Sequence, residues 1–245
     1  MLQLIYELEH EYMGLADNFT VIDATGRYGV RRIISNRRVI TGYTSMANIG
    51  LVPYEGSLER DFLELMDFGR TLCYVGAQPL RLTFKDGARR RYTPDYLCKL
   101  NPAHSGALRS PALYEIKPRS QLREEWDDLR PGFQRAALLC RQRGWRFRIA
   151  TERIIRVPRL ANIKFLRGYL DRPDRDCIGQ ILYRRMNELK VSTPSELLAA
   201  SFANMDRRLE AVGILWKLVA DGRIKIDLTR PLTMETRIWS MWHAE

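Results

Sequence analysis

Two short stretches of the chain hold residue types that can carry out metal-assisted chemistry on a phosphate. In Arg91-Tyr92-Thr93-Pro94-Asp95-Tyr96-Leu97 a Pro-Asp pair opens or interrupts a strand, and period-two alternation puts Asp95 on the face of Thr93 and Leu97. In Leu113-Tyr114-Glu115-Ile116-Lys117 the same alternation puts Glu115 and Lys117 on one face and Tyr114 and Ile116 on the other. Two such strands, adjacent and in the right register, bring two carboxylates and an ammonium together. A further carboxylate, Glu59, falls inside an apolar stripe of Leu58, Phe62, Leu65 and Met66, with Leu63 beside it. A charge on such a stripe is costly unless it is paired or meets a cation. Hard oxygen ligands hold a magnesium ion, and the ion activates water and steadies a leaving oxygen, so the chemistry on offer is phosphodiester hydrolysis. Taken singly, each residue has a plainer reading. Glu59 could be an ordinary salt-bridged helix residue, Asp95 a turn residue after Pro94, and Glu115 with Lys117 a cross-strand ion pair.

The elements that must position these residues can be read from periodicity. Ser57 precedes LERDFLELMDF as a capping residue and Gly69 closes the run, which makes a helix. Arg60, Asp61, Glu64 and Asp67 lie opposite the apolar stripe. From Leu72 to Leu100, short runs rich in Tyr, Val, Leu, Thr and Phe predict a small antiparallel sheet, with Lys85-Asp86-Gly87 as a hairpin turn. Asn101 to Pro111 reads as a loop and Ala112 to Lys117 as one more strand. A helix with Leu129, Phe133, Ala136, Ala137 and Cys140 on its apolar face follows, and WRFRIAT after Gly144 alternates like a strand. Ahead of all this, residues 1 to 56 have no clear period, and Thr25 to Ile40 reads as short strands and loops. Beyond Val157-Pro158 the chain turns helical: ANIKFLRGYL, IGQILYRRMNEL, a short helix from Thr193-Pro194, and DRRLEAVGILWKLVADG. RIKIDL is then a strand, and Pro231 opens a return strand. Helices followed by a small hairpin suggest a winged-helix type of module. The division is placed at residues 1–165 and 166–245.

The 245 residues suffice for one large domain or two modest ones. With 40 Lys and Arg against 29 Asp and Glu, the chain carries a formal charge of +11, which favours a polyanionic partner, nucleic acid first. Arg89, Arg90 and Arg91 precede Asp95, and Lys117, Arg119 and Arg123 follow Glu115, so a basic rim able to grip phosphates surrounds the carboxylates. The first residues lack the basic start and unbroken apolar run of a signal peptide, and no stretch is long enough to span a bilayer. Cys73, Cys98, Cys140 and Cys177 show no zinc spacing and read as reduced thiols of a cytosolic protein. His10, His104 and His243 form no ligand pattern. Trp126, Trp145, Trp216, Trp239 and Trp242 read as core or partner contacts.

The Asp…Glu-x-Lys arrangement resembles the PD-(D/E)xK nucleases, whose α/β restriction-endonuclease-like core is a mixed sheet flanked by helices. Across residues 20 to 160, ordered blocks look like the TnsA family, the endonuclease subunit of heteromeric bacterial transposases. These blocks are EGSLERDFLELMDF, Ala77-Gln78-Pro79-Leu80, RRRYTPDYL, YEIKPRS and RIATERII. The family also carries a helical, winged-helix-like C-terminal domain, which residues 170 to 240 match in outline.

The resemblance implies that Glu59, Asp95 and Glu115 ligate metal, together with the Ile116 carbonyl. Lys117 would orient the attacking water, and Gln78 would support the site from the neighbouring strand. It implies Mg2+ as cofactor, as two ions, with Mn2+ able to substitute. The reaction it implies is hydrolysis at the 5′ ends of a mobile element, on the strand that is not transferred. The implied partners are the transposon-end DNA, a DDE-type transposase subunit and an AAA+ ATPase regulator docked on the C-terminal domain, with no membrane, in the bacterial cytoplasm and at the nucleoid when active. Two other readings stay open: a catalytically silent DNA-binding or assembly protein of the same complex, and a stand-alone phage or repair nuclease.

Overall fold

The computed structural model describes residues 19–24, 29–30, 40–68, 72–101, 110–174 and 176–241. They belong to two compact units, Met1–Ile155 and Arg156–Glu245. The helix that begins at Pro158 packs on the long helix near the C-terminus and falls in the second unit; the sequence division at 165/166 runs through it. His10, His104, His243, Trp242, Gly69 and most of Thr25 to Ile40 lie outside the described residues.

Among the described residues of the first unit, three strands that its sequence does not announce come first: β1 (Phe19–Asp23), β2 (Gly42–Met46) and β3 (Gly50–Tyr54). β2 and β3 form a hairpin of their own. Helix α1 (Ser57–Asp67) follows, with Gly56 at the N-cap and Ser57 already inside the helix. Its buried residues are Leu58, Asp61, Phe62 and Leu63. The covered face is therefore rotated from the expected stripe: Leu65 and Met66 are only half-buried, while Asp61 is 4% exposed, with Arg60 3.8 Å away. The cause is packing on three sides, since α1 lies against the β2–β3 hairpin, a later strand and a short helix rather than against one sheet face.

Next come β4 (Leu72–Ala77), β5 (Leu80–Asp86), β6 (Ala88–Tyr92), β7 (Tyr96–Leu100) and β8 (Ala112–Ile116). The chain then forms α2 (Arg119–Glu124), α3 (Trp126–Gln142), β9 (Arg146–Ala150) and α4 (Glu152–Ile155). Instead of one antiparallel sheet, the strands split into two sheets, ordered β1-β5-β6 and β4-β7-β8-β9. The second is mixed, because the α2–α3 crossover returns β9 parallel to β8, from Ala112↔Arg146 to Ile116↔Ala150. The hairpin expected at Lys85-Asp86-Gly87 joins β5 to β6, with Gly87 at φ +65, where lacking a Cβ removes the strain. One core joins both sheets to α3: Leu80, Leu82 and Phe84 of β5 pack with Leu97, Leu113, Ala136, Leu139 and Cys140. A mixed sheet with flanking helices is consistent with an α/β endonuclease-like core.

The second unit runs α5 (Pro158–Arg167), α6 (Ile178–Leu189), β10 (Val191–Ser192), α7 (Pro194–Ser201), α8 (Met205–Ala220), β11 (Ile224–Ile226) and β12 (Ile238–Ser240). Its three strands are ordered β10-β12-β11 and antiparallel. Thr193 and Glu196 form a capping box at the start of α7, satisfying two backbone N–H groups at once. The return strand begins at Ile238 rather than near Pro231. The segment between is tied to α5 instead: buried Asn162 donates to the carbonyls of Leu228 (2.8 Å) and Arg230 (2.7 Å) and accepts from Leu232 N–H (3.4 Å). Trp216 is core, as expected.

Candidate active site

Antiparallel pairing of β7 with β8 matches Tyr96 with Tyr114 and Leu97 with Leu113. Carried one step further, this register sets Asp95 beside Glu115. Asp95 itself stands just outside β7, which fits Pro94, whose missing N–H cannot serve a ladder. The backbone of Asp95 is nevertheless held on both sides. Its N–H donates to Tyr114 O (3.0 Å), and its carbonyl accepts from Gln78 N–H (2.6 Å). Its side chain is held as well, because Oδ2 accepts from Ile116 N–H at 2.6 Å.

Glu115 is 4% exposed, and its two oxygens have different partners. Oε1 is 3.4 Å from Lys117 Nζ, confirming that residues 115 and 117 share a face. Oε2 accepts from the Tyr92 hydroxyl at 2.7 Å. Glu59, in the first turn of α1, is half-buried; its Oε2 accepts from Glu55 N–H (2.9 Å) and from the Tyr96 hydroxyl (2.9 Å). The Tyr96 hydroxyl is also 2.9 Å from Pro53 O.

Electrostatics ties the three carboxylates together. Burial, then the Glu115 and Glu59 charges, push the Asp95 carboxyl well above the usual range, against the pull of Ile116 N–H and Lys117. Burial also raises Glu115; Lys117 and the Tyr92 hydroxyl oppose the shift, and Glu59 adds to it. Such groups are destabilised as anions and gain from a cation. Burial, then Glu115, raises the Tyr92 hydroxyl well above its ordinary value, and burial, then Glu59, does the same for Tyr96. Both phenols therefore stay protonated donors at neutral pH.

The donor chemistry suits a hard divalent cation, since buried Glu115 and half-buried Asp95 and Glu59 repel one another as anions and offer only hard oxygen ligands. Among the described residues, though, no three His, Cys, Asp or Glu side chains are gathered closely enough to hold an ion. The carboxylates are turned toward Ile116 N–H, Lys117 and the two tyrosines.

Gln78, expected as a supporting residue, is 6% exposed and has φ 45, a left-handed conformation costly for a residue with a Cβ. It forms the turn that carries the chain from β4 in one sheet to β5 in the other, and its backbone supports Asp95 directly. Of the basic rim, Arg89, Arg91 and Arg123 are exposed, and Arg119 is half-buried with its N–H bonded to Glu152 Oε2 (3.0 Å). Arg90 turns to its own chain, reaching Asp128 O at 3.2 Å and Asp128 Oδ1 at 3.4 Å, because the strand's alternation points it toward α3. Tyr92 and Tyr96 are the residues that sequence reasoning passed over; on a strand an aromatic reads as core, and nothing local signals what its hydroxyl will meet.

An Asp and a Glu-x-Lys meet on adjacent strands of a mixed sheet, with the charge of a helix carboxylate, Glu59, acting on both acids. Residues 73–152 match the family described as TnsA-like endonuclease N terminal. That segment, about a third of the chain, is similar to a TnsA-like endonuclease N-terminal domain; it holds Gln78, Asp95, Glu115 and Lys117, with Glu59 upstream of it. No curated protein matches the chain.

Proposed function

We propose that the protein is the metal-dependent DNA endonuclease subunit of a heteromeric transposase, cutting the non-transferred strand at the 5′ ends of a mobile element. The observation that carries this reading is the register of β7 and β8, which joins Asp95, Glu115 and Lys117 within a TnsA-like domain. Glu59, Asp95 and Glu115, with the Ile116 carbonyl, would hold the cation. A bound Mg2+ supplies Lewis-acid polarisation of the phosphate and a more acidic water. Lys117 orients that water and offsets the charge that builds on the phosphate as the new P–O bond forms and the old one breaks. Exposed Arg89, Arg91 and Arg123, with Lys117 and Arg119 nearer the site, hold the flanking backbone of the DNA.

The second unit serves assembly in this reading. Its order of two helices, a strand, two helices and a strand pair supports a winged-helix-like module. The first turns of α8 favour a protein contact over base reading: Met205 and Leu209 are 63% and 66% exposed, and Arg207 is engaged by Asp176 (3.0 Å) and Glu210 (3.2 Å). The partners are a DDE-type transposase, which cuts and joins the other strand, and an AAA+ ATPase regulator docked on this unit. The setting is the bacterial cytoplasm. Among the described residues no helix is long and apolar enough to cross a membrane.

The test is strand cleavage of labelled transposon-end DNA in Mg2+, wild type against Asp95→Ala, with and without the cognate transposase and ATPase. Mg2+-dependent nicking at the 5′ end that Asp95→Ala abolishes is the expected result, and dependence on partners separates this role from a stand-alone nuclease. No cutting under any condition, with DNA binding unchanged in the variant, overturns the catalytic claim and leaves a scaffold.

A further inference from the structure

Each glutamate of the site accepts from a tyrosine hydroxyl besides its other partner, Lys117 for Glu115 and Glu55 N–H for Glu59. Tyr92 and Tyr96 flank Asp95 in the chain, yet they reach in different directions. Tyr92, the last residue of β6, bridges from one sheet to the other to donate to Glu115 Oε2 at 2.7 Å. The hydroxyl of Tyr96, the first residue of β7, lies 2.9 Å from both Glu59 Oε2 on α1 and Pro53 O, and its single proton is drawn to the charged oxygen. Neither ring is free to drift. Tyr92 meets Phe133 edge to face (5.7 Å between centroids, 74° between planes) and lies against Gly132 of α3. Tyr96 is 1% exposed and stacks on Phe62 (5.9 Å, 24°).

We propose that Tyr92 and Tyr96 are positioning residues for a divalent cation, a neutral clamp that fixes one oxygen each of Glu115 and Glu59 before an ion draws the carboxylates together with Asp95. This rests on the nuclease reading above and adds to it the residues that set metal affinity. Three neighbouring carboxylates repel one another and, left alone, swing apart. A phenol pins each glutamate by one oxygen without adding charge. A lysine or arginine in either place would hold the carboxylate as firmly but would neutralise the site and compete with the cation. Lys117 is the one cation within reach of Glu115 among the interactions described, and its role at the attacking water is compatible with that place. The third carboxylate, Asp95, is pinned by a backbone N–H, again a neutral donor. Donors that orient metal ligands in this way change metal affinity or activity by about 10–100-fold when removed.

The experiment uses the full chain and Tyr92→Phe, Tyr96→Phe and the double variant, which keep both rings and hence the packing. Calorimetric titration with Ca2+, a divalent probe read without any reaction, is paired with cleavage of transposon-end DNA across a Mg2+ series, in the presence of partners if the wild type needs them. DNA affinity in EDTA and thermal melting serve as controls. The clamp predicts about tenfold weaker Ca2+ binding for each single variant and a larger loss for the double. The Mg2+ requirement should rise in parallel, cleavage should largely recover at saturating Mg2+, and EDTA DNA affinity should not change. Wild-type Ca2+ affinity and Mg2+ dependence in both single variants overturn the clamp while leaving the nuclease reading intact, provided Asp95→Ala still abolishes cutting and Ca2+ binding. A reduced rate at all Mg2+ concentrations with unchanged Ca2+ affinity also overturns it. If the wild type neither cuts nor binds Ca2+, the nuclease reading itself has failed and the clamp with it.

Discussion

Replacing Gly132 by alanine sets two effects against each other, and the structure decides between them. Within a helix, alanine is favoured over glycine by about 0.5–1 kcal/mol because it loses less backbone entropy. At position 132, however, a Cβ would stand 2.9 Å from Tyr92 Cγ and 3.1 Å from Tyr92 Cβ and Cδ2. These atoms are the root of the ring, so a rotation at the far end of the side chain cannot relieve the clash, and Phe133 blocks retreat along its edge. Overpacking of this kind costs about 1–3 kcal/mol. The net expectation for Gly132→Ala is a loss of about 1 kcal/mol, which lowers the melting temperature by about 2–4 °C for a protein of this size. The displaced ring also draws the Tyr92 hydroxyl from Glu115, so the Mg2+ requirement of cleavage should rise although residue 132 touches no carboxylate. Thermal melting and an Mg2+ titration of cleavage read the two effects, and a double-mutant cycle with Tyr92→Phe shows whether they share one route. A variant that melts at or above wild type, with an unchanged Mg2+ requirement, refutes the reasoning.

Three other outcomes follow from the same structure. Folded-state pKa values raised above the unfolded ones, as at Asp95 and Glu115, mean that the folded protein holds its protons more tightly. Their stabilising contribution is therefore present at low pH and lost as pH rises through the raised values. In EDTA, melting temperature should fall over that window, Asp95→Asn should flatten the fall and raise stability at neutral pH, and Ca2+ should stabilise the wild type more than the variant. A wild-type profile that Asp95→Asn leaves unaltered counts against the carboxylate repulsion. Asn162→Ala strands the carbonyls of Leu228 and Arg230, so it should cost about 2–4 kcal/mol and speed hydrogen exchange in residues 227–237, measured by mass spectrometry. Arg89→Ala and Arg91→Ala should each weaken DNA binding and lower the slope of log affinity against log salt by about one, while Arg90→Ala, whose guanidinium is committed to Asp128, should change the slope least.

How much could be read ahead of the structure depended on the range of the interaction. Asp95 before a strand, Glu115 and Lys117 on one strand face, the hairpin at Gly87 and the helices of the second unit all follow from Pro and Gly sterics, strand alternation and helical period, which act over a few residues. Their meeting did not follow. It required Tyr96 to pair with Tyr114 rather than with a neighbour, since a slip of one residue would turn Asp95 or Glu115 to the opposite face. Other features were invisible for the same reason. β1 pairs with β5 across more than fifty residues, and Asp61 is buried because three elements crowd α1. Arg90 leaves the expected DNA rim for Asp128, 38 residues on. Tyr92 and Tyr96 find their carboxylates 23 and 37 residues away. Sequence alone determined which groups were present and which face of its element each would occupy, because those are properties of a short backbone segment. Only the tertiary structure decided which donor each carboxylate received, because that depends on where sheets, crossover and helices pack together around a shared core.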